Sequence, residues 1–121
     1  MTLDTNILIA YLNGESKVVD FILEQKAYGR ALFVSAVSAA ELLSLAELTE
    51  GDLRRIRDFL DNFISVPFDR ELAETVAFIR RLYQLSIADA AVVAAALSRQ
   101  MPLVSRDRGI RKVKEVVFVD L

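Results

Sequence analysis

The sequence predicts an α/β fold built on a mostly parallel sheet, in a single domain spanning residues 1–121. Three observations carry this. Short β-type runs alternate with longer helical patterns, the signature of βαβ units. The β-type runs are rich in Val, Ile, Leu and Phe without polar alternation, as expected for strands covered on both faces. Apolar residues make up 54% of the chain, enough for a real core at this length.

Strands are expected at about Thr2–Asp4, Leu32–Ser35, Ile64–Pro67, Leu103–Ser105 and Val116–Val119. The first is short for a central strand, with three residues before Asp4. A short helix over Asn6–Leu12 stops at Asn13-Gly14, a sequence suited to a C-terminal cap. A second covers Ser16–Tyr28, carries Val18, Val19 and Ile22, and ends before Gly29. A mostly apolar helix is expected over Ala36–Leu48. Gly51-Asp52 opens a helix with Leu53, Ile56, Phe59 and Leu60 at helical spacing. Asp69 is placed to cap a helix carrying Leu72, Val76, Ile79 and Tyr83. Ile87–Arg99 is apolar nearly all round and is expected to be buried. A last short turn begins at Asp107. No repeat, linker or low-complexity tract divides the chain.

Composition removes several chemistries. There is no cysteine and no histidine, so disulfides, thiolate nucleophiles, Ser-His triads and the usual zinc ligands are excluded. Any metal must sit on oxygen, which favours Mg²⁺ or Mn²⁺. No apolar run approaches the length of a membrane span, and the N-terminus has no basic stretch leading into a signal-type apolar one, so a cytoplasmic protein without membrane contact is expected. The four glycines, at positions 14, 29, 51 and 109, form neither a dinucleotide-binding nor a P-loop pattern, and no G-x-S-x-G elbow exists.

Four acids stand in segments that otherwise read as core: Asp4, Glu41, Asp89 and Asp107. Each has a structural role open to it. Ser38-Ala39-Ala40-Glu41 and Ser86-Ile87-Ala88-Asp89 fit capping boxes, and Asp4 and Asp107 can each cap the helix after a strand. Their joint placement says more. Asp4 and Asp107 end predicted parallel strands, and Glu41 and Asp89 lie in the first turns of helices. In an open α/β sheet these positions share the edge where ligands bind. Two carboxylates about 4 Å apart repel by roughly 4 kcal/mol at an effective dielectric of about 20, so a cluster of four calls for a cation. The net charge of −2 argues weakly against a polyanionic partner, but with these four charges set aside the remainder is +2. Arg106, Arg108, Arg111, Lys112 and Lys114 follow the last acid, and Arg80 and Arg81 precede the Asp89 helix; either group could meet phosphates or simply form a solvated face.

The blocks Leu3-Asp4-Thr5-Asn6-Ile7-Leu8, Ser35-Ala36-Val37-Ser38-Ala39-Ala40-Glu41-Leu42, Ile87-Ala88-Asp89-Ala90-Ala91-Val92-Val93-Ala94-Ala95-Ala96-Leu97 and Leu103-Val104-Ser105-Arg106-Asp107 resemble, in that order, the PIN domain. In length and block order they look most like VapC-type toxins of type II toxin–antitoxin pairs. The resemblance covers the whole chain. It implies a three-layer α/β/α sandwich, Mg²⁺- or Mn²⁺-dependent endoribonuclease activity by in-line attack leaving a 5′-phosphate and a 3′-hydroxyl, homodimerisation and a small antitoxin protein as partner. By position, Asp4 and Asp89 match the principal metal ligands, and Glu41 and Asp107 the other two acids. Asn6 and Ser105 match auxiliary polar residues. RNA contacts would fall to Arg80, Arg81, Arg106 and Arg108. The chain departs from the family where Arg108-Gly109-Ile110 replaces a second acid or amide followed by an aromatic, which bears on a second metal. Three other readings stay open: a PIN-type nuclease of RNA maturation outside a toxin–antitoxin pair, a non-catalytic module binding metal or a partner, and a phosphotransfer domain, for which Asp69 lacks the required lysine.

Overall fold

The computed structural model describes residues 1–121. Eleven elements follow the expected alternation: β1 (Thr2–Leu3), α1 (Thr5–Leu12), α2 (Ser16–Ala27), β2 (Phe33–Ser35), α3 (Ala36–Leu43), α4 (Glu50–Leu60), β3 (Ile64–Val66), α5 (Arg70–Leu82), α6 (Ile87–Ser98), β4 (Leu103–Val104) and β5 (Phe118–Val119), with a 3₁₀ turn at Ile110–Lys112. All strand pairings are parallel, and the five strands lie in the order β3-β2-β1-β4-β5.

That order explains the layers. The chain steps outward from β1 to β2 to β3, then returns past β1 to place β4 on its other side. Right-handed crossovers therefore put α5 and α6 on the face opposite to the earlier helices. The core divides accordingly. Leu3, Val34 and Val104 pack with Ile7, Leu8, Val18, Ile22, Ile56 and Phe59 of α1, α2 and α4. Leu103 packs on the other face with Leu72, Val76 and Ile79 of α5 and the Ala90–Ala96 run of α6. Adjacent residues Leu103 and Val104 thus serve opposite layers, as the period-two geometry of a strand demands. The result is the α/β/α sandwich.

α6 is the element most fully enclosed. All seven residues from Ala90 to Ala96 are buried, and five of them are alanines, small side chains suited to close packing against α5 and the sheet. Its N-terminus is capped by Ser86, whose hydroxyl accepts from the Asp89 amide at 3.1 Å.

Several helix ends differ from expectation. α3 stops at Leu43, not Leu48; the Ser44 hydroxyl turns back onto the Ala40 carbonyl at 2.5 Å. Its cap is Ser35, which accepts from the Val37 amide at 3.2 Å, so the expected capping box of Ser38 and Glu41 does not form. β2 runs straight into α3 without a loop, and the cap therefore falls on the last strand residue. α4 begins earlier than Gly51, with a reciprocal capping box between Thr49 and Asp52. β3 is an edge strand with Ile64 49% exposed, not covered on both faces. The expected ends at Asn13-Gly14 and Gly29 hold, both glycines adopting the left-handed φ that a helix terminus requires (76° and 70°). Asp69 caps α5 by accepting from the Leu72 amide at 2.9 Å.

Candidate metal centre at the carboxyl edge of the sheet

β1 and β4 are neighbours at the point where the strand order reverses, the place where open α/β sheets bind ligands. Asp4 leaves the end of β1 there, and Ser105 and Asp107 leave the end of β4. The Ser105 hydroxyl joins the two strand ends: it donates to Asp4 Oδ2 at 2.8 Å and accepts from the Asp107 amide at 3.1 Å. Asp4 occupies the N-cap position of α1 but makes no side-chain cap bond. Asp107 does cap, its Oδ1 accepting from the Ile110 amide at 3.0 Å. Gly109 permits this fold-back, because a Cβ at that position would stand 3.2 Å from the same oxygen.

Glu41 comes from the second turn of α3. Its Oε1 lies 2.8 Å from the Thr5 hydroxyl, which also lies 2.7 Å from the Ser38 hydroxyl. A carboxylate only accepts and Thr5 has one hydroxyl proton, so Thr5 donates to Glu41 and Ser38 supplies the proton of its own bond to Thr5. Asp89 sits in the first turn of α6. Burial differs among the four: Asp4 is 3% exposed, Asp89 and Asp107 are half-buried, and Glu41 is exposed, although its segment reads as core.

The acids sense one another. Asp4 is raised to about 6, chiefly by burial; the Ser105 hydroxyl and the Thr5 amide pull it down, and Asp89 and Asp107 push it up. Asp89 is raised by burial and then by Asp107, with a smaller upward push from Glu41. None of the four takes part in an ion pair. The cluster is therefore mutually repelling and without a basic partner in the protein. Its donors are all hard oxygens, which suits Mg²⁺ or Mn²⁺. No three carboxylates already meet in a ready-made cage. That fits Mg²⁺, which is commonly held by one or two carboxylates and keeps several waters.

The basic residues sort into two groups. Arg106 is committed to Glu15 by two bonds of 2.6 and 3.0 Å. Arg111 donates to the Ser105 carbonyl and to Asp120, both at 2.8 Å, and lies over the Phe118 ring, so it braces the β4 loop. Arg80 spends one donor on the Leu85 carbonyl at 3.1 Å. Arg81 and Arg108 are exposed and without acidic partners. Arg80, Arg81, Gln84 and Leu85 help line an open groove of about 520 Å³. Leu85 in turn approaches Gly109, two residues from Asp107. Asn6 is exposed on the first turn of α1 and makes no side-chain hydrogen bond, while Ser105 is fully engaged. Thr5 and Ser38 were not among the expected site residues; Thr5 adjoins Asp4 and Ser38 lies one turn before Glu41, but nothing in sequence shows that they meet.

The PIN domain family model matches residues 1–116. Among solved structures, the chain is similar to a toxin–antitoxin complex from Klebsiella pneumoniae, at 24% identity over 96% of this chain and 94% of that one, with a TM-score of 0.80. It is also similar to VapBC2 from Rickettsia felis bound to a DNA fragment from its promoter, at 17% identity over 98% and 96%, TM-score 0.83. DNA-bound VapBC from Salmonella typhimurium gives 19% identity over 98% and 96%, TM-score 0.82. At these identities the likeness speaks for the fold. Among curated proteins none matches the sequence.

The raised Asp4 gives a stability prediction for the metal-free chain. The folded state holds the Asp4 proton up to about pH 6, whereas the unfolded chain releases it near 3.8. Between those values the folded state binds more protons, so the Asp4 contribution to stability falls as pH rises from about 4 to 6 and stays low above. Asp4→Asn should remove that slope and stabilise the metal-free chain at pH 7 by about 3 kcal/mol. Urea melts of both proteins in EDTA across pH 4 to 7 check this.

Proposed function

The chain belongs to the PIN domain family, and from that premise we propose that it is a Mg²⁺- or Mn²⁺-dependent endoribonuclease, the toxin of a toxin–antitoxin pair. The observation that carries the reading is the set of acids at the sheet edge with no basic partner. Asp4 and Asp89 would hold the ion, with Asp107 beside them. A bound divalent ion lowers the pKa of its water and offsets charge developing on a scissile phosphate.

The chain's own groups supply the rest. The free oxygen of Glu41 is available to accept from an attacking water and orient it. Ser105 keeps the ends of β1 and β4 in register, so that Asp4 and Asp107 face the same substrate atoms. Arg81 and Arg108, with the remaining donors of Arg80, are free to bind phosphates on the Leu85 side of the site. Arg106 reaches phosphate only by leaving Glu15.

Partners belong to the same reading. The similar solved structures are toxin–antitoxin complexes, which supports a small antitoxin as partner. Exposed Phe78 and Leu82, one turn apart on α5, leave an apolar face suited to a protein contact such as a homodimer. No helix is long and apolar enough to cross a membrane, in keeping with a cytoplasmic site of action.

Incubation with single-stranded RNA should give cleavage in Mg²⁺ or Mn²⁺, none in EDTA, and at least a hundredfold slower cleavage by Asp89→Asn. Gel analysis of end-labelled RNA reads this out. Activity that survives both EDTA and Asp89→Asn would sink the assignment. Metal binding without cleavage of any RNA would favour a non-catalytic module. In the Asp89→Asn background, Arg81→Gln and Arg108→Gln should each weaken RNA binding and flatten its dependence on log salt by about 0.7.

A further inference from the structure

Three of the protein's four ion pairs are local in sequence: Arg55 with Asp52, Arg70 with Glu74 and Arg111 with Asp120. The fourth joins residues 91 positions apart. Arg106 donates to both oxygens of Glu15, Nη1 to Oε1 at 2.6 Å and Nη2 to Oε2 at 3.0 Å. This two-pronged fork is the geometry by which arginine binds carboxylates and phosphates alike.

Neither end of the pair sits where a simple structural tie would need it. Arg106 stands between Ser105, which donates to Asp4, and Asp107, so it belongs to the loop that carries the acids. Glu15 occupies the N-cap position of α2, where a side chain usually accepts from the first amides of the helix, yet it makes no cap bond. Its carboxylate is spent across the α1–α2 turn on Arg106 instead. The two side chains remain 42% and 43% exposed, and an ion pair open to water is weakly held. A phosphate arriving at the acids therefore meets an arginine whose present partner is a readily displaced anion of similar shape.

We infer that Arg106 is a phosphate-binding residue for the RNA strand and that Glu15 is its resident competitor, a carboxylate that fills the guanidinium fork until a phosphate displaces it. The inference rests on the ribonuclease reading above and deepens it, adding an acid outside the metal centre to the residues that set RNA affinity. Binding exchanges one anion for another on Arg106, so breaking the pair offsets part of what the phosphate contact gains. Glu15 thereby restrains affinity, and the pair re-forms when the strand leaves.

The test is a double-mutant cycle on RNA affinity, which turnover does not enter. A labelled single-stranded RNA is titrated, by fluorescence anisotropy in Mg²⁺ at one fixed low salt concentration, with the full chain carrying Asp89→Asn. Glu15→Gln frees the fork and should tighten binding by about fivefold, the upper range for an exposed ion pair. Adding Arg106→Gln should abolish that gain. Compared within the Arg106→Gln background, Glu15→Gln should change affinity by no more than about twofold, the screened effect of one surface charge. No gain in Glu15→Gln overturns the inference, because the pair is then only structural. A gain of the same size with and without Arg106 also overturns it, because Glu15 then acts as a general repulsive charge. Either result, with RNA still bound by the Asp89→Asn chain, leaves the ribonuclease reading standing. A chain that neither binds RNA with Asp89→Asn nor cleaves it with Asp89 in place overturns that reading, and this inference with it.

Discussion

The constraint on which the rest depends is electrostatic: four carboxylates brought to one edge of a parallel sheet with no lysine or arginine paired to any of them. Such an arrangement lowers the stability of the empty protein. Burial, with Asp89 and Asp107 pushing the same way against the Ser105 and Thr5 hydrogen bonds, leaves Asp4 raised to about 6. A structure selected only for stability would place a basic residue nearby or replace an acid by an amide. The basic residues are instead kept to one side. Arg106 is held by Glu15 and Arg111 by Asp120 and the Ser105 carbonyl, so neither quenches the cluster.

The scaffold makes this tolerable through strand order. Because β1 and β4 adjoin where the winding reverses, two acids arrive on strand ends, Asp89 on the first turn of α6 and Glu41 on the second turn of α3. The N-terminus of α6 favours the negative charge of Asp89. The buried α6, with small residues from Ala90 to Ala96, fixes the Asp89 turn against the sheet, while Ser105 fixes Asp4 against Asp107. Stability is concentrated beneath the site, and repulsion is confined to it.

Much of this was legible in the sequence. Short runs rich in Val, Ile, Leu and Phe located every strand to within two residues, most cleanly β4, whose Leu103 and Val104 are buried on opposite faces. The acids were legible as charges interrupting those runs. What escaped depends on contacts that no local pattern encodes. The α3 end was overrun because Leu45 continues the apolar pattern while Ser44 turns the chain back. The S-x-x-E pattern at Ser38 pointed to a cap, yet Ser38 bonds Thr5 from 33 residues away. Arg106 read as a free cation, yet its partner Glu15 lies 91 positions earlier. The exposure of Glu41 was hidden for the same reason: its segment is apolar, but its own side of α3 faces the site and not the core.

On the metal-dependent reading, the four acids form one cation site. Its most direct test is calorimetric titration of Mn²⁺ near pH 6 in two buffers of different ionisation heat, which reports protons released on binding. With Asp4 raised to about 6, saturable binding should come with release of a fraction of a proton, a release that Asp4→Asn diminishes. Absence of saturable binding, or binding with no proton release from the parent chain, would contradict it.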